Sequence, residues 1–173
     1  MNKVIKEDLT VQEAFEKYQR YNELRNLSIH TLEHKEVNHK RFMKYLDNDN
    51  FLIKDINKGI IDDYTFYLKK DGLKAVSINT NLRSIRAFIN WAADNDYLEP
   101  FKITNLKQEE TIKETYSEAQ LEKLLNKPNI KKCTFREYRT WVMTNYFLGT
   151  GNRVNTVVNL KINDIDWEND YIK

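Results

Sequence analysis

The sequence is poor in residues that cross-link a chain or force it to turn. Its 173 residues include one cysteine, Cys133, together with 4 glycines and 2 prolines. A single thiol excludes an intramolecular disulfide framework and a cysteine-based zinc cluster, and it is typical of a reducing compartment such as the cytoplasm. So little glycine and proline is not enough for the turns of an all-β sandwich or barrel. We therefore expect a mainly α-helical, cytoplasmic protein.

Long apolar runs and a strong net charge are also missing. No stretch approaches the ~18 apolar residues of a membrane-spanning helix, and the N-terminus has no hydrophobic signal-peptide region, so we expect no membrane partner. The 28 Lys and Arg residues against 26 Asp and Glu residues leave a net charge of +2, which by itself predicts no partner. Apolar residues make up 40% of the chain and aromatic residues 12%, so a buried core is expected and intrinsic disorder is excluded.

Four amphipathic helices are predicted in the first part of the chain. Thr10 and Glu13 form a capping box at the start of the first, in which each side chain accepts a hydrogen bond from a free backbone N–H group. Ser28 caps the second predicted helix, the third runs from Asn57 and the fourth opens at Ser77. Gly72 ends the third helix because glycine accepts a left-handed backbone. We interpret residues 1–99 as one helical domain.

The rest of the chain is predicted to contain a linker and a second unit. Apolar periodicity lapses over 100–115, which predicts an interdomain linker, and a second unit then occupies 116–173. A capping box at Ser117 opens that unit, and a long helix follows that ends at Gly149. The pattern predicts a short helix after Gly151 and a single strand at 165–172. Because one strand cannot satisfy its own backbone groups, we expect the second unit to be incomplete.

Basic and amide side chains recur on the polar faces of two predicted helices. On the fourth helix these are Asn79, Arg83, Arg86 and Asn90, with Lys74 and Ser77 just ahead of them. On the second helix they are His34, Arg41 and Lys44. Arg and Asn are suited to bidentate contacts with guanine and adenine, and Ser and Lys to phosphate, so these faces are candidates for duplex DNA. The alternative is an ordinary solvated helix surface.

His30 and His34 have the i, i+4 spacing of a metal-binding pair. Since no third ligand of a suitable type accompanies them, we expect no metal site.

One arginine stands directly after a glycine-containing turn. The sequence Thr150-Gly151-Asn152-Arg153 joins the end of one predicted helix to the start of the next. A guanidinium group and the free N–H groups of a helix start both favour a phosphate group. The alternative is that Arg153 is a surface residue behind a glycine cap.

This segment resembles the tyrosine recombinase (phage integrase) family. The family's first catalytic arginine lies in a Thr-Gly-X-Arg box, matched here by Thr150, Gly151 and Arg153. A short helix and a Leu-Lys-X-X-Asp-Ile-Asp motif follow, and they are matched by Leu160, Lys161, Asp164, Ile165 and Asp166. The sequence departs from the family at Asn152, where an apolar residue is usual, and at Asn155-Thr156, where a small polar residue and a glutamate are usual. The fourth predicted helix is similar to the last helix of the family's core-binding domain.

The resemblance implies both a fold and an activity. The fold is mainly α, with an N-terminal four-helix, SAM-like core-binding domain followed by the truncated, mostly helical start of an α+β catalytic domain. The activity is site-specific recombination for a phage or mobile element, in which a tyrosine attacks the scissile phosphate without a metal or other cofactor. Arg153 would bind that phosphate. The partner would be a double-stranded recombination site, on which the full-length protein self-associates as a synaptic tetramer.

The family's other catalytic residues are a strand lysine, a His-X-X-Arg box and the nucleophilic tyrosine, and none of them can be matched in this sequence. We therefore expect the chain to be catalytically inactive alone. Two other hypotheses remain open. One is a non-enzymatic helical DNA-binding regulator derived from a recombinase. The other is a helical protein-interaction domain, for which the near-neutral charge is the only support.

Overall fold

The computed structural model describes residues 8–108, 114–169 and 171–172. The chain divides into two compact units, Met1–Glu110 and Thr111–Lys173. Both are mainly helical, and the strands of the described residues form one short antiparallel pair. No helix within these ranges combines the length and the apolar character needed to cross a membrane.

Within its described residues, the first unit contains four α-helices that begin close to their predicted positions. They are α1 (Val11–Leu24), α2 (Ile29–Leu46), α3 (Lys58–Lys70) and α4 (Ala75–Asp94). The side chains of Thr10, Ser28 and Asn57 each accept a backbone N–H three residues later, which confirms the predicted caps at Thr10 and Ser28 and the predicted start of the third helix at Asn57. The predicted start of the fourth helix at Ser77 was wrong. Helix α4 begins at Ala75 with Lys74 in the N-cap position, so Ser77 lies in its first turn.

Helix α4 lies at the centre of the first unit and packs against α1, α2 and α3. Its apolar stripe is buried as predicted, and consists of Ile78, Leu82, Ile85, Ile89 and Ala92, together with Phe88. The ring of Phe88 meets that of Phe15 edge to face, with centroids 5.5 Å apart, and it also contacts Tyr18 and Trp91. Aromatic contacts of this kind add to the stability gained from burial alone.

The segment after α4 folds back onto the first unit. Leu98 and Ile103 are buried in its core, and Phe101 and Leu106 pack against that core. The first residues of the segment predicted as a linker, 100–115, are therefore part of the helical unit. Residues 109–113 of that segment lie outside the described residues.

The second unit contains α5 (Glu118–Leu125), α6 (Phe135–Thr150) and α7 (Val154–Val158). The capping box at Ser117 is confirmed, and Thr134 forms another at the start of α6. The predicted end of α6 at Gly149 was wrong. The helix continues to Thr150 and ends at Gly151, whose φ of 65° is the left-handed conformation that glycine adopts without strain.

The predicted single strand at 165–172 is a hairpin. Strands β1 (Ile165–Asp166) and β2 (Tyr171–Ile172) pair antiparallel, with Ile165 opposite Ile172. The carboxylate of Asp166 accepts the backbone N–H groups of Glu168 and Asn169, each at 3.1 Å, and so stabilises the turn. The prediction of a strand without a partner was wrong, because the partner lies within the same predicted stretch.

A buried histidine joins α1 to α2. The imidazole of His39 stacks on the ring of Phe15 with centroids 3.6 Å apart, and it is 3% exposed. The amide nitrogen of Gln12 donates to Glu16, so the oxygen of Gln12 faces His39 and accepts its Nε2–H at 3.0 Å. Burial lowers the pKa of His39 from 6.5 to about 4, although the charge of Glu36 acts in the opposite direction.

Lowering the pH should destabilise the first unit through His39. The folded state keeps this imidazole neutral while the unfolded chain binds a proton below pH 6.5, so stability falls as the pH falls from 6.5 towards 4. Urea unfolding at pH 7 and pH 5 should show a loss of about 2 kcal/mol from this residue. The variant His39→Gln has no imidazole to protonate, so its stability should fall correspondingly less between pH 7 and pH 5. An equal pH dependence of the two proteins would contradict the assignment.

Candidate nucleic-acid interface

Helices α2 and α4 pack side by side and leave a shallow groove of about 260 Å³ between them. Its lining is basic, hydroxyl-bearing or small: Thr31, His34, Lys35, Thr80, Arg83, Ser84 and Ala87. These residues recur at spacings of three and four along each helix, which places them on one face. We call this surface the α2/α4 groove. Among the residues that the structure describes, its lining contains no carboxylate.

The residues predicted on α2 lie on one side of that helix. His34 and Lys44 are exposed, and Lys44 lies in the last turn. Arg41 is half-buried, and its Nη1 donates to Oδ1 of Asn81 on α4 at 3.5 Å. This brings the guanidinium group of Arg41 onto the same pair of helices that forms the α2/α4 groove.

Four of the residues predicted on α4 are exposed: Lys74, Ser77, Arg83 and Asn90. Arg83 lies in the α2/α4 groove, and its Nε–H donates to the backbone oxygen of Asn79 at 3.3 Å. This bond fixes the inner part of the side chain and leaves the outer nitrogens of the guanidinium group available.

Asn79 does not lie on the exposed face, contrary to its predicted place there. Its side chain is 2% exposed and pairs with the backbone of Leu106 in both directions. Asn79 Nδ2–H donates to the Leu106 oxygen at 2.9 Å, and the Leu106 N–H donates to Asn79 Oδ1 at 2.8 Å. Arg86 is half-buried and donates to the side-chain oxygen of Asn105. Both residues therefore hold the segment 101–106 against α4.

The opposite side of α2 has a different charge pattern. There α1 and α2 line a second groove that contains three glutamates as well as two basic residues: Glu16, Glu23, Glu36, Arg20 and Lys40. Lys40 forms an ion pair with Glu36 at 2.6 Å within α2. The positive groups on this side are thus accompanied by acids, whereas those of the α2/α4 groove are not.

Arg153 is exposed in the second unit, where it occupies the N-cap position of α7. Two features hold the turn before it. The Thr150 hydroxyl donates to the backbone oxygen of Tyr146 at 2.7 Å, and Gly151 adopts the left-handed conformation. Among the described residues, no carboxylate lies within ion-pair distance of Arg153. Its guanidinium group is therefore open to an external anion.

His30 and His34 do not come together with a third ligand. Within 8–108, 114–169 and 171–172, no group of three or more His, Cys, Asp and Glu side chains is arranged to hold a metal ion. His30 instead contacts Glu33 at 3.4 Å on the surface of α2.

The sequence interpretation missed several residues that shape this interface. Lys35 lines the α2/α4 groove, donates to the Tyr18 hydroxyl at 2.5 Å and lies 4.7 Å from the centre of that ring. Thr80 and Ser84 line the same groove one turn apart. Thr80 lies three residues before Arg83 and four before Ser84, and residues at these spacings share a helix face, so the sequence could have indicated both hydroxyl residues. Asn81, which contacts Arg41, carries no such signal because it lies among the buried positions of α4.

Comparisons with known proteins agree with this architecture. Residues 10–109 match the phage integrase SAM-like domain family. A tyrosine recombinase XerC from Staphylococcus aureus strain JH9 is 26% identical over 146 residues, which cover 83% of this chain and 48% of the relative. The XerC of the bovine strain RF122 / ET3-1 matches over the same shares. The chain thus spans about half the length of these relatives.

Two solved structures share the fold. The Tn1549 transposon integrase, in complex with a circular intermediate DNA, superposes with a TM-score of 0.68 and 22% identity over 93% of this chain and 51% of that one. The N-terminal domain of a phage integrase/site-specific recombinase from Haloarcula marismortui gives a TM-score of 0.50 and 13% identity, over 54% of this chain and 90% of that one.

Replacing Asn79 by Leu should release the segment 101–106 from α4. The change leaves the N–H and C=O groups of Leu106 without their partners, which costs about 1–3 kcal/mol for buried groups. Hydrogen exchange at Leu106 should accelerate, while exchange in α1 changes little. Asn90→Leu is the matched control, because Asn90 is exposed on the same helix. Unchanged protection of Leu106 in Asn79→Leu would show that the paired bonds do not hold the segment.

Proposed function

Since the chain belongs to the tyrosine recombinase (phage integrase) family, we propose that its first unit binds duplex DNA through the α2/α4 groove and the basic residues beside it. The second unit then contributes Arg153 to the scissile phosphate during site-specific recombination. The observation that carries the DNA-binding proposal is the separation of charge across α2. Acidic and basic side chains are mixed in the groove with α1, whereas the described lining of the α2/α4 groove has basic and hydroxyl groups without a carboxylate.

The side chains of the α2/α4 groove suit a nucleic acid chemically. Arg83 presents a planar fork of donors that matches two phosphate oxygens or the O6 and N7 edge of guanine. The hydroxyl groups of Thr31 and Ser84, the imidazole of His34 and the ammonium group of Lys35 suit phosphate oxygens. Phosphate contacts fix the position of a protein on the duplex and base contacts select the sequence, so one face can serve both purposes.

The proposed role of Arg153 follows from its family motif and its surroundings. The residue matches the first catalytic arginine of the Thr-Gly-X-Arg box, and the left-handed Gly151 aligns the turn that presents it. A guanidinium group without an ion-pair partner can bind the non-bridging oxygens of a phosphate. It would stabilise the negative charge that grows on them when a nucleophile attacks.

The DNA-binding proposal predicts that Arg83→Ala weakens the binding of a mixed-sequence duplex by about tenfold, as expected for the loss of one guanidinium contact. The logarithmic salt dependence of the affinity should become shallower by about 0.9, because one fewer phosphate is neutralised. Fluorescence anisotropy titrations across a series of salt concentrations measure both quantities.

Lys40→Ala is the matched control. It also removes one positive charge, but Lys40 lies in the groove between α1 and α2, on the opposite side of α2. It should leave the affinity within about twofold of the parent chain. Equal weakening by both variants would indicate a general charge effect rather than a binding face. The absence of binding at low salt in the parent chain would reject the DNA-binding proposal.

The proposal for Arg153 has a separate outcome. Arg153→Ala in a recombinase that contains this segment and a complete catalytic domain should slow formation of the covalent protein–DNA complex by about 10²–10³-fold, the usual effect of removing one preorganised donor. Duplex affinity should remain within about twofold, because the groove on the first unit is untouched. Normal cleavage by this variant would reject the catalytic role.

A further inference from the structure

A small polar cluster lies between α2, α3 and α4, beside the proposed DNA-binding face. It contains Arg41 from α2, Tyr64 from α3 and Asn81 from α4. Asn81 Oδ1 accepts from Arg41 Nη1 at 3.5 Å and from the Tyr64 hydroxyl at 3.4 Å. Asn81 is 4% exposed and Tyr64 is fully buried, whereas Arg41 is half-buried and reaches the surface.

The orientation of the Asn81 amide is determined by its own helix. Its Nδ2–H donates to the backbone oxygen of Ser77 at 3.0 Å, one turn earlier in α4. Since the nitrogen faces Ser77, the oxygen must face Arg41 and Tyr64. A buried carbonyl oxygen with two lone pairs can accept both donors, so the amide uses its donor and acceptor sides together.

Tyr64 is itself held firmly. Its ring packs against Phe42 at a centroid distance of 5.0 Å and against Tyr45 at 5.2 Å. Burial raises the pKa of the Tyr64 hydroxyl well above its usual range, although the charge of Arg41 acts in the opposite direction. The hydroxyl therefore stays protonated, and it donates its single hydrogen to Asn81.

The partner of Arg41 in this cluster is neutral. Among the described residues, no carboxylate lies within ion-pair distance of its guanidinium group. An arginine held by an aspartate would have its charge compensated and several donors occupied. Arg41 is held through one nitrogen by a neutral oxygen, so it keeps its full charge and most of its five donors.

We propose that Asn81 is a positioning residue that fixes the guanidinium group of Arg41 for contact with duplex DNA, and that the Tyr64 hydroxyl supports Asn81 from behind. This inference rests on the proposed DNA-binding function and adds two buried residues to it. Holding the side chain in advance reduces the rotamer entropy lost when the DNA contact forms. A neutral anchor achieves this without cancelling the charge that the contact requires.

The test is a double-mutant cycle on duplex affinity. Arg41→Ala should weaken binding by about tenfold, and Tyr64→Phe and Asn81→Leu by several-fold each. In the Arg41→Ala background, Tyr64→Phe and Asn81→Leu should have no further effect, because the group they position is gone. Tyr64→Phe keeps the aromatic packing and removes only the hydroxyl, so it remains informative if Asn81→Leu folds poorly.

Asn81→Asp provides a readout that a purely structural role would not change. The new carboxylate would pair with Arg41 and cancel its charge, so the logarithmic salt dependence should become shallower by about 0.9 while the fold is kept. Asn22→Leu is the control for loss of a buried amide. The side-chain amide of Asn22 donates to the backbone oxygen of Tyr18 within α1 at 2.7 Å, just as the amide of Asn81 donates to the backbone oxygen of Ser77. Asn22 does not contact Arg41.

The positioning role of Asn81 and the DNA-binding function are contradicted by different results. If Arg41→Ala leaves the affinity unchanged, the proposed binding face is wrong at this residue. If Arg41→Ala weakens binding but Tyr64→Phe and Asn81→Leu do so equally with and without Arg41, the positioning role is overturned and the DNA-binding function stands. Equal effects of Asn22→Leu and Asn81→Leu would likewise overturn the positioning role.

Discussion

The burial of the apolar stripe of α4 is the interaction on which the first unit depends. This helix contacts α1, α2 and α3, and the segment 101–106 returns along it. Each fully buried aliphatic or aromatic side chain of the stripe contributes about 1.5–3 kcal/mol, so the stripe supplies a large part of the stability of a small domain. Because the stripe fixes how α2 lies against α4, it also fixes the groove between them.

That packing explains how a chain with a net charge of +2 can present a basic surface. Helix α2 is shared between two grooves, and one of its two glutamates, Glu36, lies in the groove with α1. His34 and Lys35 lie in the groove with α4, beside Arg83. The sum of the charges is therefore a poor guide to function here, and the distribution of charge around one helix is the informative quantity.

Helix starts were largely predictable from the sequence because they are determined locally. Thr10, Ser28 and Asn57 each bond a backbone N–H three residues away, and such short-range bonds are legible in a sequence. The prediction at Ser77 was wrong because Lys74 precedes α4 without a side-chain cap. Gly149 was mistaken for the helix end because two glycines stand close together, and only Gly151 has a positive φ.

The candidate site was only partly predictable, for a different physical reason. Helical periodicity separates an apolar face from a polar one, but it does not show that a distant segment will cover part of the polar face. Asn79 was placed on that face because of its spacing, whereas its partner Leu106 lies 27 residues later. Asn81 was overlooked because buried amides look like interruptions of a core stripe, although this one contacts Arg41.

The central claim is that DNA lies against the α4 side of α2 and not against its α1 side. Lysine-modification footprinting with and without duplex DNA, read by mass spectrometry, tests this claim most directly. Lys35 lines the α2/α4 groove, and Lys40 lies in the groove on the α1 side of α2. DNA on the α4 side should protect Lys35 from modification and leave Lys40 reactive. Protection of Lys40 with continued reactivity of Lys35 would contradict this placement.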